Sequence, residues 1–181
     1  MRVLPKCCAA IALHVFVLPL AAQEDGPTDS VGLGEGAALD LHAAGALPFR
    51  DDADAASDIS GAITEARRGD RIVFIEFGAN WCPDCRALHK LLESSEVAPY
   101  LEEHFVLVMV DVGYFDKNLD IVEQVGGDIS RGIPSAVFLS SNLEPIGVTR
   151  NGELEPARTF GTTQIMRFLQ SVNEELKVVS P

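Results

Sequence analysis

The stretch Ile72-Val73-Phe74-Ile75-Glu76-Phe77-Gly78-Ala79-Asn80-Trp81-Cys82-Pro83-Asp84-Cys85 decides how the rest of the chain is read. Its first six residues are apolar at every position but Glu76, the pattern of a central strand covered on both faces. A carboxyl in such a strand is desolvated, which raises its pKa and lets it take or give a proton near neutrality; in a frayed strand it would sit in water instead. Two cysteines follow at a spacing of two residues. Pro83 suits the first position of a helix, where no N–H is needed, and so places the helix start at Cys82. A sulfur there lies near unsatisfied N–H groups and the positive end of the helix dipole, which favours thiolate over thiol. Cys85, one turn on, reaches back to close a small disulfide ring. A nucleophile with a resolving partner is the working unit of thiol–disulfide exchange. Asp84 suits a helix N-terminus, yet its charge opposes the Cys82 thiolate and makes the disulfide harder to reduce; Pro83 and Asp84 are thus the tuning residues. Trp81 reads as a cover over the active-site surface where a substrate arrives.

Outward from this stretch, Ile59, Ala62, Ile63 and Ala66 mark one face of a helix beginning near Asp54 and stopped by Gly69. Downstream, Leu88, Leu91 and Leu92 resume helical spacing, and Val97 and Leu101 continue it past a break near Ser94-Ser95, with a kink at Pro99. Phe105 to Val110 is a second buried strand. Asp116 to Asn118 offers a cap for a helix carrying Leu119, Val122 and Val125, which Gly126-Gly127 ends. Ala136 to Leu139 and Ile146 to Val148 are strand-like around a turn at Ser140-Ser141-Asn142. Ile165, Phe168, Leu169, Val172 and Leu176 form the stripe of a last helix, with Thr163 at its start. This order predicts a three-layer α/β domain over residues 49–181, a central mixed sheet of four or five strands flanked by helices.

The N-terminus reads as an address. Arg2 and Lys6 precede an apolar run from Cys7 to Leu20, and Ala21 and Ala22 come before a polar segment, the layout of a secretory signal peptide over residues 1–22. The run is short for a membrane anchor. Residues 23–48 are rich in Gly, Ala and acid and read as a flexible leader, with an added edge strand around Leu39 to Leu47 as the alternative. The chain of 181 residues carries a net charge of −13, and losing residues 1–22 removes two bases and no acid, leaving −15. That sign argues against nucleic acid and anionic lipid surfaces, whose phosphates need Lys and Arg. The same cleavage leaves Cys82 and Cys85 as the only cysteines. An exported domain stapled by disulfides would carry several at longer separations, so a lone Cys-x-x-Cys reads as chemistry.

Gly78-Ala79-Asn80-Trp81-Cys82-Pro83-Asp84-Cys85 after a strand ending in acid-Phe, followed by Arg131-Gly132-Ile133-Pro134-Ser135 before the last two strands, resembles thioredoxin over residues 54–176. The resemblance implies Cys82 as nucleophile, Cys85 as resolving thiol and Glu76 in the place of the family's buried acid. It also implies a cis Ile133-Pro134 bond, with the Ile133 backbone pairing to an extended substrate segment. Pro83-Asp84 replaces the Gly-Pro of thioredoxin itself, the lysine near the buried acid has no counterpart at Leu107, no N-terminal strand is evident, and Gly113 to Lys117 is an added loop. With the export signal, the likeness is to a periplasmic thioredoxin-like protein, a secreted one being the other possibility. The expected function is exported thiol–disulfide exchange with protein substrates, in the reductase or isomerase direction, with no bound cofactor and a separate redox donor, for which a membrane-embedded protein is one candidate. Two alternatives stand beside it: a copper module using Cys82, Cys85 and His89, and a non-catalytic binding module. No third ligand at metal spacing accompanies His89, which is read as solvent-facing or loosely packed, so no metal site is expected.

Overall fold

A computed structural model describes residues 47–179, with side chains as far as Glu175. The expected signal peptide, the expected leader and its alternative edge strand as far as residue 46, and the side chain of Leu176 lie outside the described residues.

Four strands form one sheet in the order β2-β1-β3-β4. Strand β1 (Ile72–Gly78) runs parallel to β2 (Phe105–Asp111) and antiparallel to β3 (Ser135–Leu139), and β3 pairs antiparallel with β4 (Pro145–Val148). Every residue of β1, β2 and β3 is buried, as the unbroken apolar runs required. Helix α1 (Ala55–Gly69) packs on β1 and β2, α3 (Ala98–His104) on β2, and α5 (Thr162–Val179) on β4, while α2 (Pro83–Leu92) meets α5. The three-layer α/β arrangement with a mixed sheet is therefore the one read from the sequence. Among the described residues no helix is long and apolar enough to cross a membrane.

One side of the sheet holds an aromatic cluster. Phe74 lies 4.6 Å from Phe138 and 6.3 Å from Phe105, and Phe138 lies 5.8 Å from Phe168 on α5. Phe74 and Glu76 alternate onto the same face of β1, so this packed wall extends up to the acid.

Several local expectations need correction. The first helix starts next to Asp54 as expected, but packing begins ahead of it: Phe49 is already buried, and its N–H and C=O are both held by the Asn80 side chain. The ring lies so close to Gly78 that a Cβ there would meet its Cζ at 2.3 Å, which is why the strand ends in glycine. The break expected near Ser94-Ser95 is present, where the Ser94 hydroxyl donates to the Leu91 carbonyl, but Pro99 kinks no helix: it lies in the first turn of α3, where its missing N–H costs nothing. Neither Asp116 nor Asn118 caps α4 (Leu119–Gln124) with its side chain: Asp116 accepts from Tyr114 N–H, and Asn118 donates to the Asp111 carbonyl. The β3–β4 connection spans Ser140 to Glu144, closed by the Ser140 N–H to the Glu144 carbonyl, rather than three residues. Thr163 sits inside the first turn of α5, and the side chain of Gln164 accepts from Gly161 N–H in the manner of a capping box.

Candidate active site

The chemistry sits where β1 gives way to α2. Cys82 occupies the N-cap with extended backbone (φ −73°, ψ 117°), Pro83 follows in the first turn, and the Cys85 N–H donates to Cys82 Sγ at 3.1 Å. That amide is one of the orphan donors of a helix N-terminus, and it stabilises charge on sulfur when Cys82 becomes a thiolate. Cys82 and Cys85 are joined in a disulfide with Cα atoms 5.3 Å apart. Cys82 keeps 3% of its surface exposed and Cys85 none, so an incoming sulfur meets Cys82. Across the site the Ile133-Pro134 bond is cis, and the Ile133 carbonyl oxygen lies 3.5 Å from Cys82 Sγ, a packing contact while the disulfide carries no S–H.

Glu76 is fully buried, and neither carboxyl oxygen has a hydrogen-bond partner. Its cross-strand neighbours explain this: Met109 on β2 and Ala136 on β3, neither of which offers a side-chain donor. Burial alone therefore pushes its pKa up to about 8. The register also corrects one detail. Leu107 stands opposite Phe74, and the residue facing the acid from β2 is Met109; β2 supplies no cation at either position.

Asp84 is not the free charge its position suggested. Its Oδ1 accepts from both the backbone N–H and the Nε of Arg158, each at 3.0 Å. Arg158 lies in a short 3₁₀ turn (Ala157–Thr159) that packs on α2, 74 residues away in sequence, which is why no local signal announced it. The guanidinium offsets part of the repulsion between Asp84 and a Cys82 thiolate. Arg158→Ala is expected to leave Asp84 with the backbone N–H of residue 158 but without its cation, disfavour the reduced form and lower the reduction potential of the pair by on the order of 20 mV, a small shift because the guanidinium is exposed. Equilibration against glutathione measures it, and an upward shift would refute this role for Arg158.

His89 is not solvent-facing: its ring is mostly buried, with Nε2 3.2 Å from a Glu93 carboxyl oxygen and Nδ1 unpartnered. Burial lowers its pKa while Glu93 pulls it back up. Among the described residues no three His, Cys, Asp or Glu side chains gather in a way that could hold a metal ion.

Trp81 is 41% exposed, and its Nε1 donates to the Gly113 carbonyl at 2.7 Å. The added loop thus folds onto the active-site rim, bringing Tyr114 and Phe115 against the indole. Neither ring was singled out by sequence, since a loop aromatic carries no periodicity.

A central sheet with a Cys-x-x-Cys at a helix start facing a cis-proline loop defines a class, and comparison agrees. Residues 54–141 match the thioredoxin-like family model. The chain belongs to the thioredoxin-like family, and the redox-paired Cys82 and Cys85 make it a thiol–disulfide oxidoreductase. More particularly, it is 35% identical to a disulphide isomerase from Xylella fastidiosa Temecula1, with a TM-score of 0.68, over 71% of this chain and 98% of that one. More distant is the C-terminal domain of DsbD from Neisseria meningitidis, 18% identical with a TM-score of 0.49, over 66% of this chain and 96% of that one. A thioredoxin from Thermus thermophilus is 21% identical with a TM-score of 0.46, over 62% of this chain and 82% of that one. Comparison with curated proteins returns no match.

Proposed function

We propose that this chain is an exported enzyme that reduces or rearranges disulfides in other proteins. The observation that carries it is the Cys82–Cys85 disulfide at the start of α2, with the outer sulfur beside the Ile133 carbonyl and the inner one sealed. In the reduced enzyme the Cys82 thiolate attacks one sulfur of a substrate disulfide, forming a mixed disulfide and expelling the other substrate sulfur as thiolate. Glu76 in its carboxylate form takes the proton of Cys85, and Cys85 then attacks Cys82 Sγ. The second substrate sulfur leaves with its electron pair, so the substrate gains two electrons and the enzyme is left as the Cys82–Cys85 disulfide. In isomerisation a substrate thiol performs that release instead, and no net electrons pass.

Ile133 and Pro134 form the wall against which an extended substrate segment lies, and Trp81 borders it on the other side. A dithiol donor of separate origin returns the enzyme to its reduced form; no cofactor is required. Export rests on the basic, apolar and small-residue order of positions 1–22, and the periplasm is the compartment that fits a protein keeping a redox-active pair as its only mature cysteines.

The direction rests on two supports. The similar protein from Xylella fastidiosa is described as a disulphide isomerase, and Asp84 keeps an acid next to the nucleophile even though Arg158 offsets it. The potential of the pair is expected below about −180 mV, the range of isomerases and reductases, and the enzyme is expected to restore activity to a protein with scrambled disulfides. A value near about −120 mV, with net oxidation of a reduced protein, would overturn the direction.

A further inference from the structure

The loop between β2 and α4 is built to hold aromatic rings in water. Tyr114 is 78% exposed and Phe115 41%. The Tyr114 ring stacks on Trp81 at 5.5 Å with planes 2° apart, and Phe115 stands edge-on to the same indole at 6.2 Å. Scattered exposed apolar residues are ordinary; three contiguous rings, the first of them adjacent in sequence to Cys82, are not. Nor is the loop slack. Asp111 Oδ1 accepts from Gly113 N–H at 3.0 Å, its Oδ2 holds Lys117 Nζ at 2.9 Å, and Asp116 Oδ1 accepts from Tyr114 N–H at 2.9 Å. Phe115 is kept at φ +65°, a left-handed conformation that a bulky side chain adopts only when its surroundings impose it.

The loop and the helix after it carry mostly acid, while the Arg86 guanidinium donates to the carbonyl of Asn80, the residue before Trp81. Asp116 in the loop and Asp120 and Glu123 on the following helix are exposed, and the loop's single cation, Lys117, is engaged by Asp111 and Asp51. The chain as a whole carries −13.

The geometry points to an aromatic shelf of Trp81, Tyr114 and Phe115 that receives the part of a protein substrate next to its reacting cysteine, selecting segments that pair an aromatic or long aliphatic side chain with lysine or arginine. This rests on the oxidoreductase reading and gives its substrate class. The open face of Tyr114 suits a cation or a flat apolar group, and the acids beyond it favour a basic flank. The shelf is continuous with the Cys82 rim, so a segment lying on it delivers its sulfur to the nucleophile.

Trp81 is the only tryptophan in the chain, so its emission reports occupancy of the shelf directly. The probe is a ten-residue peptide with serine in place of cysteine, flanked by phenylalanine and two lysines and lacking Trp and Tyr. It is expected to shift Trp81 emission saturably. Binding should weaken about tenfold with glutamates in place of the lysines, weaken with added salt, and weaken about tenfold in Tyr114→Ser/Phe115→Asn, where asparagine tolerates the left-handed backbone. The cysteine versions of both peptides, joined to nitrothiobenzoate, give the second-order rate constant of a single reduction by the pre-reduced enzyme, read from the nitrothiobenzoate released. The lysine probe should exceed the glutamate probe at least about tenfold in the wild type, a ratio that collapses toward one in the double variant. A wild type that reduces both probes equally keeps the oxidoreductase reading and overturns the shelf. One that binds the serine peptide but reduces neither probe overturns the oxidoreductase reading and upholds the shelf as a binding surface. Because the peptide exchange needs no altered protein, misfolding of the double variant cannot mask the result.

Discussion

Cys82→Ser is expected to reduce turnover of protein disulfides by at least about 10³-fold, the scale of losing a nucleophile that acts as one unit with its partner. The reason is geometric. Cys85 has no exposed surface and cannot substitute as the attacking sulfur. Cys85→Ala behaves differently, because the Cys82 sulfur keeps its helix N-terminal position and still receives the N–H of residue 85. The first attack proceeds, resolution does not, and the variant should accumulate as one-to-one mixed disulfides visible by intact mass and released by dithiothreitol. Those adducts also identify the natural substrates. Net reduction of a substrate disulfide by Cys85→Ala at the wild-type rate would falsify the division of labour between the two sulfurs, whereas isomerisation, which a substrate thiol resolves, does not depend on Cys85.

Glu76→Leu should stabilise the oxidised protein while slowing its catalysis. In the folded state burial pushes the pKa of the carboxyl up to about 8, against an ordinary value of 4.5. Below the lower value both folded and unfolded chains hold the proton, and the acid makes no electrostatic difference. Between the two values only the folded chain holds it, so the contribution of Glu76 to stability falls as pH rises, and above about 8 the whole cost is present. Denaturant unfolding is therefore expected to show a pH-dependent lead of the leucine variant of about 3 kcal/mol at pH 7, shrinking near pH 4 to the packing difference and the cost of burying an unpartnered neutral carboxyl. A gain independent of pH would show that Glu76 is not the buried neutral acid described here. The cost appears in turnover: without a proton acceptor for Cys85, release of substrate from the mixed disulfide should slow by about 10²-fold. Glu76→Gln, which keeps the shape and loses the proton, should show the same kinetic loss.

That an acid with this penalty occupies a central strand fits a trade of stability for proton transfer. The two effects share one cause, since Met109 and Ala136 deny the carboxyl any donor and keep water away. Arg158 and the aromatic loop act on other parts of the cycle, the first on the potential and the second on which substrates arrive.

The sequence by itself determined the elements whose signals are local. The unbroken apolar runs of β1 and β2 could only be strands covered on both sides, Pro83 placed the start of α2, and the two-residue spacing brought Cys85 back to Cys82 within one turn. Burial of Glu76 followed from its place in such a run. What only the tertiary structure decided are the pairings between segments distant along the chain, because no periodicity links residues that meet through packing. Arg158 reaches Asp84 across 74 positions, Phe49 closes over Gly78 through Asn80, and the register sets Met109 rather than Leu107 beside the acid. Tyr114 and Phe115 are the same case. Their role as part of the rim depends on a loop fold held by Asp111 and Asp116, and a side chain's exposure is a property of the assembled surface rather than of its neighbours in sequence.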